Sequence, residues 1–473
     1  MGYQHWHFTK DKEGTAWLEI DVKDSSVNIL RVEVMQEWAE IMKEVAADSS
    51  LTGLCMVSGK PGGFVYGADI AEFNTLASEA DVHNLIALAA SVLSAIEKLD
   101  IPTVCGIDGV AVGGGLEIAL PFDRIVGVGQ RHTKLGFPEI NLGIFPGYGG
   151  TGRALRRVGI KTTLDMVLSG RLLGAEEALS HQLIDRLAED PNSLRDIMRE
   201  ELANPRNPDR VEGDAEFAAS LEAAEEDYCS SAIEAATPAP FEIIQHFKRS
   251  GGDWRKLVTS EGKAFAPLLL GEASYHLRRV FLINDAVRKT ARGDSQISHV
   301  HVIGAGTMGG DIAAVAALNG FSVSLSDREA SAVEKAVLRA ASLFERRLKT
   351  DKAIADANSR LIADVAGAHI GNADIIIEAV AERLEVKQAV FKEVEKAAKP
   401  GAILATNTSS IMIEDIAASL NQPERLIGLH FFNPVPVLPL VEVIFGAQSD
   451  SDVLARAMCF AGQLKKMPVR VKS

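Results

Sequence analysis

The chain has 473 residues, and at roughly 150 residues per domain this length predicts about three domains. Hydrophobic residues make up 47% and charged residues 24%, which is ordinary globular usage and excludes a disordered or fibrous chain. Lysine and arginine number 49 against 64 aspartates and glutamates, a net charge of −15, so the basic surface of a nucleic-acid-binding protein is not expected.

The four cysteines are far apart and form no Cys-x-x-Cys pair, which argues against a zinc ribbon and against a disulfide scaffold. We therefore predict no metal site and a reducing, cytoplasmic location. The first residues lack the apolar segment of a signal peptide. The longest nearly apolar stretch, 85–96, is too short to cross a bilayer as a helix, so no transmembrane segment is expected.

Strand-like and helical patterns alternate over the first 190 residues. Segments 15–22 and 51–60 are rich in apolar and β-branched residues and predict strands. Apolar residues recur at helical spacing over 81–98, and a buried strand that enters a run of glycines is predicted over 101–114. This order indicates an α/β domain with its functional loops at the strand ends.

Three glycine-rich strings, at 62–70, 109–120 and 135–153, suggest loops in which the backbone approaches a ligand. Glu117 follows a GGG triplet in the second string, and Glu139 follows a proline in the third. Two carboxylates from separate loops can act on one water molecule, one as base and the other as acid. Taken singly, each glutamate is explained as well by a charge at a helix terminus.

The composition changes after residue 190. Residues 191–250 are rich in Ala, Glu, Asp, Asn and Arg and contain several prolines, and a long amphipathic stretch follows over 260–291. We interpret 191–296 as a helical linker that packs between two domains.

A second α/β domain is predicted from residue 297. Its predicted strands cover 299–303, 321–327, 373–380, 402–407 and 425–432. Helical patterns cover 329–349 and 384–398. Strands that alternate with helices of this length predict βαβ units and a Rossmann-type, doubly wound parallel sheet.

Gly304, Gly306 and Gly309 form a G-x-G-x-x-G motif between the first of these strands and a helix. The first two glycines allow a tight turn and close approach of a pyrophosphate, and the third lets the helix pack on the strand. Asp327 ends the next strand, near the ~20 positions expected for a carboxylate that binds the ribose hydroxyls. Such an acid repels a 2′-phosphate, so the motif predicts NAD rather than NADP; a glycine turn without a ligand is the alternative.

The strings AVAERLEVK, NTSS and HFFNPVPVLPLVEV follow the glycine motif in this order. Alone, a histidine at a strand end would be a core residue. Together the four strings resemble the NAD-binding half of L-3-hydroxyacyl-CoA dehydrogenases, over about 297–473. The resemblance implies that His430 is the general base that takes the 3-hydroxyl proton while hydride leaves C3 for the nicotinamide. Glu442 would orient His430 and stabilise its charge.

The same resemblance implies roles for further residues. Ser409 would hydrogen-bond the substrate oxygen. Cofactor contacts are implied for Met308 within the glycine motif and for Glu382, Lys387 and Asn407 near the nicotinamide ribose and ring.

One departure from that family concerns the end of the sequence. Family members continue into a Gly-Phe-x-x-Asn-Arg string with a further catalytic asparagine and then into a helical domain that shapes the acyl pocket and pairs subunits. This sequence ends at Ser473, before that string. We therefore expect NAD binding with impaired dehydrogenation.

The three glycine-rich strings of the first part resemble the enoyl-CoA hydratase/isomerase (crotonase) superfamily, over roughly 10–190. The resemblance implies a crotonase-type ββα spiral in which the N–H groups of Ala68 and Gly114 polarise the thioester carbonyl. Glu117 and Glu139 match the two acid/base residues of hydratases. This favours hydration of a trans-2-enoyl thioester, with Δ3,Δ2-isomerisation as an accompanying activity, while Asp69 is expected to be structural.

A hydratase domain over 1–190, a helical linker over 191–296 and an NAD-binding domain over 297–473 resemble, in this order, the α-subunits of bacterial fatty-acid oxidation complexes and the peroxisomal bifunctional enzymes. The resemblance implies hydration of enoyl-CoA to L-3-hydroxyacyl-CoA, then NAD-dependent oxidation to 3-ketoacyl-CoA. It also implies acyl-CoA substrates and a thiolase β-subunit as partner, with contacts expected in 191–296.

The residues leave two other functions open. A non-catalytic subunit that senses NAD or assembles partners would not need both hydratase glutamates, nor His430 with Glu442. A hydratase joined to an unrelated NAD-dependent enzyme, such as a nucleotide-sugar dehydrogenase, is disfavoured by the NTSS and HFFNP strings.

Overall fold

The chain divides into two compact units, Met1–Leu282 and Ile283–Ser473. The structure is a computed structural model and describes residues 2–130, 132–204, 209, 213–229 and 236–473. The predicted domain boundaries at 190 and 296 stay predictions, and the first unit continues well past residue 190.

The first unit consists of short strands followed by helices. Its strands are β1 Trp6–Lys10, β2 Thr15–Ile20, β3 Gly53–Ser58, β4 Gly63–Val65, β5 Thr103–Ile107, β6 Val110–Val112, β7 Arg124–Val128, β8 Lys134–Gly136, β9 Leu172–Gly174 and β10 Arg186–Ala188. Its helices are α1 Val32–Ala47, α2 Glu79–Glu97, α3 Gly114–Glu117, α4 Gly150–Ser169, α5 Ala175–Ser180, α6 Leu194–Glu201, α7 Asp214–Tyr228, α8 Ala239–Ser250, α9 Trp254–Leu270 and α10 Glu272–Thr290, which contains the boundary between the units.

Two sheets organise this unit. The larger has the order β1-β2-β3-β5-β7-β10 and is parallel except for the β1–β2 pair, and the smaller has the order β4-β6-β8-β9. Three times in succession, a strand of the larger sheet is followed by a strand of the smaller sheet and then by a helix. This repeat confirms the predicted ββα spiral and places three strand-to-helix loops side by side.

The single strand predicted over 101–114 is wrong in detail, because it consists of β5 and β6 in different sheets. Gly109 turns the chain between them with a φ of +86°, and a Cβ at this position would lie 2.2 Å from the carbonyl oxygen of Gly62. Only glycine fits such a turn without strain. The turn is what carries the chain from one sheet to the other.

The amphipathic stretch predicted over 260–291 consists of two helices, α9 and α10, because Gly271 between them is extended. Apolar side chains of α9, among them Leu257 and Phe265, belong to the same core cluster as Trp38 of α1. The region interpreted as a linker therefore contributes to the core of the first unit.

Among the described residues, one helix is long and apolar enough to span a membrane, and it is α2. A third of that stretch is buried inside the unit, with Val82, Leu93 and Ile96 in the core. Helices in protein cores often have this length and composition, and the packing of these residues into the core is typical of such a helix.

The second unit contains an eight-stranded sheet. Its strands are β11 His299–Ile303, β12 Ser322–Ser326, β13 Leu361–Ala363, β14 Ile375–Glu378, β15 Ile403–Thr406, β16 Leu426–Phe431, β17 Leu440–Phe445 and β18 Met467–Lys472. Its helices are α11 Thr307–Leu318, α12 Ala330–Arg347, α13 Asp351–Arg360, α14 Leu384–Ala397, α15 Ile413–Ala417 and α16 Ser451–Gln463.

The strand order is β13-β12-β11-β14-β15-β16-β17-β18, and the sheet is parallel except for the β16–β17 pair. Both faces are covered: Ile375 and Ile377 of β14 belong to one core cluster, and Ile376 between them belongs to another. The predicted doubly wound Rossmann-type sheet is confirmed. The strand order reverses between β11 and β14, which is where such sheets bind their ligands.

Candidate active sites

Two loops of the first unit bring the predicted carboxylates to one cavity. Glu117 ends α3 and is 2% exposed, and Glu139 lies in the 3₁₀ turn Pro138–Leu142; both line the cavity. Gly113 permits this approach with a φ of +56°, since a Cβ there would lie 2.7 Å from Oε1 of Glu139. The fold thus joins two residues that are 22 positions apart in the sequence.

Glu117 is held by the beginning of α4. Tyr148 and Gly150 donate their backbone N–H groups to Oε1 of Glu117, at 2.7 and 2.8 Å. Burial raises the pKa of Glu117 to about 7, although these two bonds and the Arg153 charge stabilise the carboxylate. A carboxyl that titrates near neutrality is suited to proton transfer at that pH.

Glu139 differs in its surroundings. Its Oε2 atom is buried and has no hydrogen-bond partner within the described part of the chain. Burial and the neighbouring charge of Glu117 raise the pKa of Glu139 well above its usual value. Two like charges this close do not both ionise readily, so Glu139 keeps its proton in the presence of an ionised Glu117.

The backbone of Ala68 and Gly114 lines the same cavity. A Cβ at Gly114 would lie 3.4 Å from the Ala68 nitrogen, and a Cβ at Gly67 would lie 3.5 Å from the Gly114 nitrogen. Gly67 has a φ of +92°, which favours glycine. The two predicted N–H donors are therefore neighbours beside the carboxylates.

The remaining wall of the cavity is mostly apolar. Its side chains are Tyr66, Ile70, Phe73, Leu85, Ile86, Leu142, Ile144, Phe145, Tyr148 and Phe265. An apolar pocket with a few polar groups at one place is typical of a small-molecule site, and it fits the acyl chain that the resemblance implies. Asp69, expected to be structural, accepts hydrogen bonds from Arg31 Nε at 3.1 Å and from the Ala71 N–H at 3.0 Å.

His430 and Glu442 of the second unit form the pair that the sequence predicts. They are cross-strand partners on β16 and β17, with Nδ1 of His430 2.8 Å from Oε2 of Glu442. A carboxylate at Nδ1 favours the tautomer with its proton there, which leaves Nε2 as the proton acceptor. The geometry therefore provides a base and its orienting group.

The glycine motif forms the turn between β11 and α11. Gly304 has a φ of +102°, and a Cβ at Gly309 would lie 1.8 Å from the Gly304 carbonyl oxygen. At Gly306 a Cβ would meet nothing within 4 Å, so that position faces open space. A tight turn with one open glycine at a helix N-terminus fits the pyrophosphate of NAD.

Asp327 follows β12 and lies beside this turn. Its Oδ2 accepts the Ala305 N–H at 2.7 Å, and its Oδ1 accepts the Glu329 N–H at 3.0 Å. Met308 is in the first turn of α11 and packs partly against the core. The predicted ribose-binding carboxylate is thus adjacent to the predicted phosphate site.

Lys387 is fully buried in a charged network. Its Nζ donates to Oε1 of Glu378 at 2.9 Å and lies 3.1 Å from Oε2 of Glu382. Glu382 Oε1 accepts from the Ser409 N–H at 3.0 Å and from the Thr408 hydroxyl. Burial alone would raise the pKa of Glu382, but the Thr408 hydrogen bond and the Lys387 charge hold it below its usual value. Lys387 therefore fixes the side chain of Glu382 by an ion pair, and Glu382 in turn anchors the 407–410 loop by hydrogen bonds.

Asn407 connects this loop to the strand that carries His430, because its Oδ1 accepts the Phe431 N–H at 2.9 Å. Ser409 contributes its backbone N–H to Glu382, and the described contacts do not join its side chain to His430. The cofactor roles of Asn407 and Lys387 and the substrate role of Ser409 stay predictions.

The sequence analysis missed two buried carboxylates near these sites. Glu378 ends the apolar strand β14, and a charged residue in such a strand is a detectable signal because it requires a buried partner. Glu261, in α9, accepts backbone N–H groups at the beginning of α4. It lies four residues after Leu257 and four before Phe265, on the apolar face of α9, and this helical spacing is the signal that could have found it.

Comparison with known proteins gives the same two parts. The enoyl-CoA hydratase/isomerase family matches residues 12–206, and the NAD-binding domain of 3-hydroxyacyl-CoA dehydrogenase matches residues 299–473. The fatty acid oxidation complex subunit alpha of Shewanella halifaxensis is 33% identical over 487 residues, which cover 99% of this chain and 69% of that protein. This chain belongs to the family of fatty acid oxidation complex α-subunits.

The α-subunit of Pseudomonas entomophila is also 33% identical, over 97% of this chain and 67% of its own length. A 3-hydroxybutyryl-CoA dehydrogenase of known structure from Escherichia coli is 40% identical over 38% of this chain and 39% of that chain, with a TM-score of 0.36.

As a member of the α-subunit family, the chain carries enoyl-CoA hydratase and NAD-dependent 3-hydroxyacyl-CoA dehydrogenase activities of fatty-acid β-oxidation, with acyl-CoA substrates and NAD as cofactor. The predicted pairing of a hydratase with a dehydrogenase is confirmed, which removes the nucleotide-sugar alternative. The expected impairment of dehydrogenation stays a prediction.

Proposed function

We propose that the hydratase reaction takes place in the cavity between Glu117 and Glu139, and that 3-hydroxyacyl-CoA oxidation takes place at His430. The observation that carries the first assignment is the placement of two carboxyls with raised pKa on one cavity, next to the N–H groups of Ala68 and Gly114. The family places both activities in the chain, and this geometry supports the roles of the residues.

Hydration then proceeds with Glu117 as base and Glu139 as acid. Glu117 accepts two N–H bonds that stabilise its carboxylate, so it takes a proton from water as the oxygen adds to C3. Charge develops on the thioester oxygen and is stabilised by the N–H groups of Ala68 and Gly114. C2 receives its proton from Glu139, whose raised pKa keeps it protonated. The same groups can move a proton between C2 and C4, which would give the accompanying isomerisation.

Oxidation uses the His430–Glu442 pair. Nε2 of His430 takes the proton of the 3-hydroxyl group, and Glu442 stabilises the imidazolium that results. The glycine turn at 304–309 and Asp327 would hold NAD, which would supply the hydride acceptor for C3. The substrate oxygen would be held by Ser409, whose loop is attached to Glu382.

Incubation of the purified chain with crotonyl-CoA in the absence of NAD tests this assignment. The conjugated enoyl absorbance should disappear and 3-hydroxybutyryl-CoA should accumulate, because hydration needs no redox cofactor. Persistence of the enoyl absorbance at enzyme concentrations that convert it with a known hydratase would refute the hydratase assignment.

We also propose a thiolase β-subunit as partner and a cytoplasmic location. The word "complex" in the names of the related α-subunits supports a partner, and the predicted contacts lie in 191–296, of which 205–208, 210–212 and 230–235 are outside the described residues. The four cysteines lie far apart in the sequence and form no Cys-x-x-Cys pair, which suits a reducing compartment. Size-exclusion chromatography of the chain with a purified β-subunit tests the partner: two separate peaks would contradict it.

A further inference from the structure

Glu261 is a fully buried carboxylate of α9, beyond the residues matched by the hydratase family. Its Oε1 accepts the N–H groups of Gly149 at 2.7 Å and of Gly150 at 3.1 Å. Its Oε2 accepts the Thr151 N–H at 3.2 Å and also the Thr151 hydroxyl. One carboxylate thus accepts hydrogen bonds from three successive residues.

These residues form the beginning of α4, where backbone N–H groups have no partner within the helix. The residue that precedes the helix is Gly149, which has no side chain to supply an acceptor, and its φ is +92°. Glu261 supplies from α9 the acceptor that a serine or aspartate at this position would ordinarily provide. The negative charge is also favourable at a helix N-terminus.

Glu261 and Glu117 accept a hydrogen bond from the same donor, the backbone N–H of Gly150. The Gly150 N–H lies 2.8 Å from Oε1 of Glu117 and 3.1 Å from Oε1 of Glu261. A Cβ at Gly150 would lie 2.7 Å from Oε1 of Glu117, so a side chain there would push the carboxylate away. Glu117 lines the cavity and Glu261 does not. Any effect of Glu261 on the reaction therefore passes through its neighbours.

We propose that Glu261 is a positioning residue of the hydratase site, which fixes the Gly149–Thr151 turn against Glu117 and, when ionised, places a negative charge near Glu139. The inference rests on the roles proposed above for Glu117 and Glu139. Under this proposal α9, which lies outside the residues matched by the hydratase family, contributes to the hydratase site.

The electrostatic surroundings agree with this role. The charged and titratable groups that act on Glu261, or on which it acts, are Glu117, Glu139 and Arg153. Arg153 is shared, since its guanidinium also binds Glu97 and the Tyr148 carbonyl. Burial, with the Glu117 charge, raises the pKa of Glu261 to about 8, and an ionised Glu261 in turn helps to raise the pKa of Glu139. Glu261 thus favours the protonated form of the proposed acid.

The test compares Glu261→Gln, which keeps the shape and removes the charge, with Lys263→Gln, an exposed change on the same helix. Steady-state hydration of crotonyl-CoA is measured across pH. Glu261→Gln should lower kcat about 10-fold with little change in KM. The alkaline limb of its pH profile, set by Glu139, should move to lower pH by about half a unit or more, because the charge that an ionised Glu261 places near Glu139 is lost. The acid limb should stay in place, because Glu261 is mostly protonated below its pKa of about 8. Lys263→Gln should match the unsubstituted chain.

A second variant covers the case in which Glu261→Gln does not fold. Thr151→Ala removes only the hydroxyl that donates to Glu261. This loss disfavours the ionised form of Glu261, so the pH profile should shift in the same direction as in Glu261→Gln, but by less. A folded Glu261→Gln variant with unchanged kcat and an unchanged pH profile overturns the inference, even if its Tm is lower. An unchanged pH profile of Thr151→Ala overturns it as well. In either case, loss of activity in Glu139→Gln would show that the proposed function still stands.

Discussion

His430 and Glu442 face each other across the only antiparallel strand pair of the second unit's sheet in the described chain, with Nδ1 of His430 2.8 Å from Oε2 of Glu442. The backbone ladder fixes both residues, so their contact depends on strand register and not on a loop. Glu442→Gln keeps an acceptor for Nδ1 but removes the charge that stabilises the imidazolium. We expect kcat for 3-hydroxybutyryl-CoA oxidation to fall about 10²-fold relative to the unsubstituted chain.

NADH formation measures this effect, and fluorescence titration with NADH should show unchanged cofactor affinity. Glu385→Gln, an exposed change on α14, is the matched control. A Glu442→Gln variant that oxidises substrate at the unsubstituted rate would contradict the pairing mechanism.

The two glycines Gly306 and Gly309 should respond differently to alanine. Gly306 has a φ of −61° and open space around its Cβ position, so Gly306→Ala should fold normally but weaken NAD binding about 10-fold or more, because the methyl group occupies the approach of the pyrophosphate. In Gly309→Ala the methyl group would meet the Gly304 carbonyl at 1.8 Å, so this variant should lose stability as well. Thermal unfolding and NADH titration separate the two effects. Wild-type NAD affinity in Gly306→Ala would place the pyrophosphate elsewhere.

Asp327 should set the choice of cofactor. Its carboxylate caps the Ala305 N–H beside the glycine turn and would repel a 2′-phosphate. Asp327→Asn keeps an acceptor without the charge, and we expect the ratio of NADPH to NADH affinity to rise about 10-fold. Glu329→Gln, two residues further on, is the control. An unchanged ratio in Asp327→Asn would contradict the ribose assignment.

The buried carboxyl of Glu117 should also make stability depend on pH. Its pKa is raised from 4.5 to about 7, so between these values the native state binds more protons than the unfolded state, and stability falls as the pH rises. Glu117→Gln removes this loss of stability with rising pH. The Tm of the variant relative to the unsubstituted chain should therefore increase between about pH 5 and about pH 7 and level off above that. A difference in Tm that is constant or decreasing over this range would show that the Glu117 pKa is not raised.

The sequence was sufficient for sites whose residues lie next to a regular pattern. The glycine motif follows a strand directly, and His430 and Glu442 each lie in an apolar strand, so strand register alone brings them together. The ββα spiral was predicted from resemblance, but the division of 101–114 into two strands depends on contacts of Gly109 with a distant loop. Such contacts have no local signal.

The same limit explains the missed carboxylates. Glu261 lies on the apolar face of α9, but only the packing of α9 against the beginning of α4 shows which N–H groups it accepts. Lys387 was predicted to approach the cofactor, but the sequence could not show that Glu378 and Glu382 bind its ammonium group. Long-range ion pairs follow from the tertiary fold and not from spacing.

We propose above that Glu117 and Glu139 together hydrate enoyl-CoA in the cavity of the first unit. The most direct measurement is the rate of crotonyl-CoA hydration by Glu139→Gln, with Glu176→Gln on the exposed side of α5 as control and thermal unfolding to verify folding. We expect a loss of at least about 10²-fold for Glu139→Gln and none for Glu176→Gln. A folded Glu139→Gln variant that hydrates crotonyl-CoA at the unsubstituted rate would contradict it.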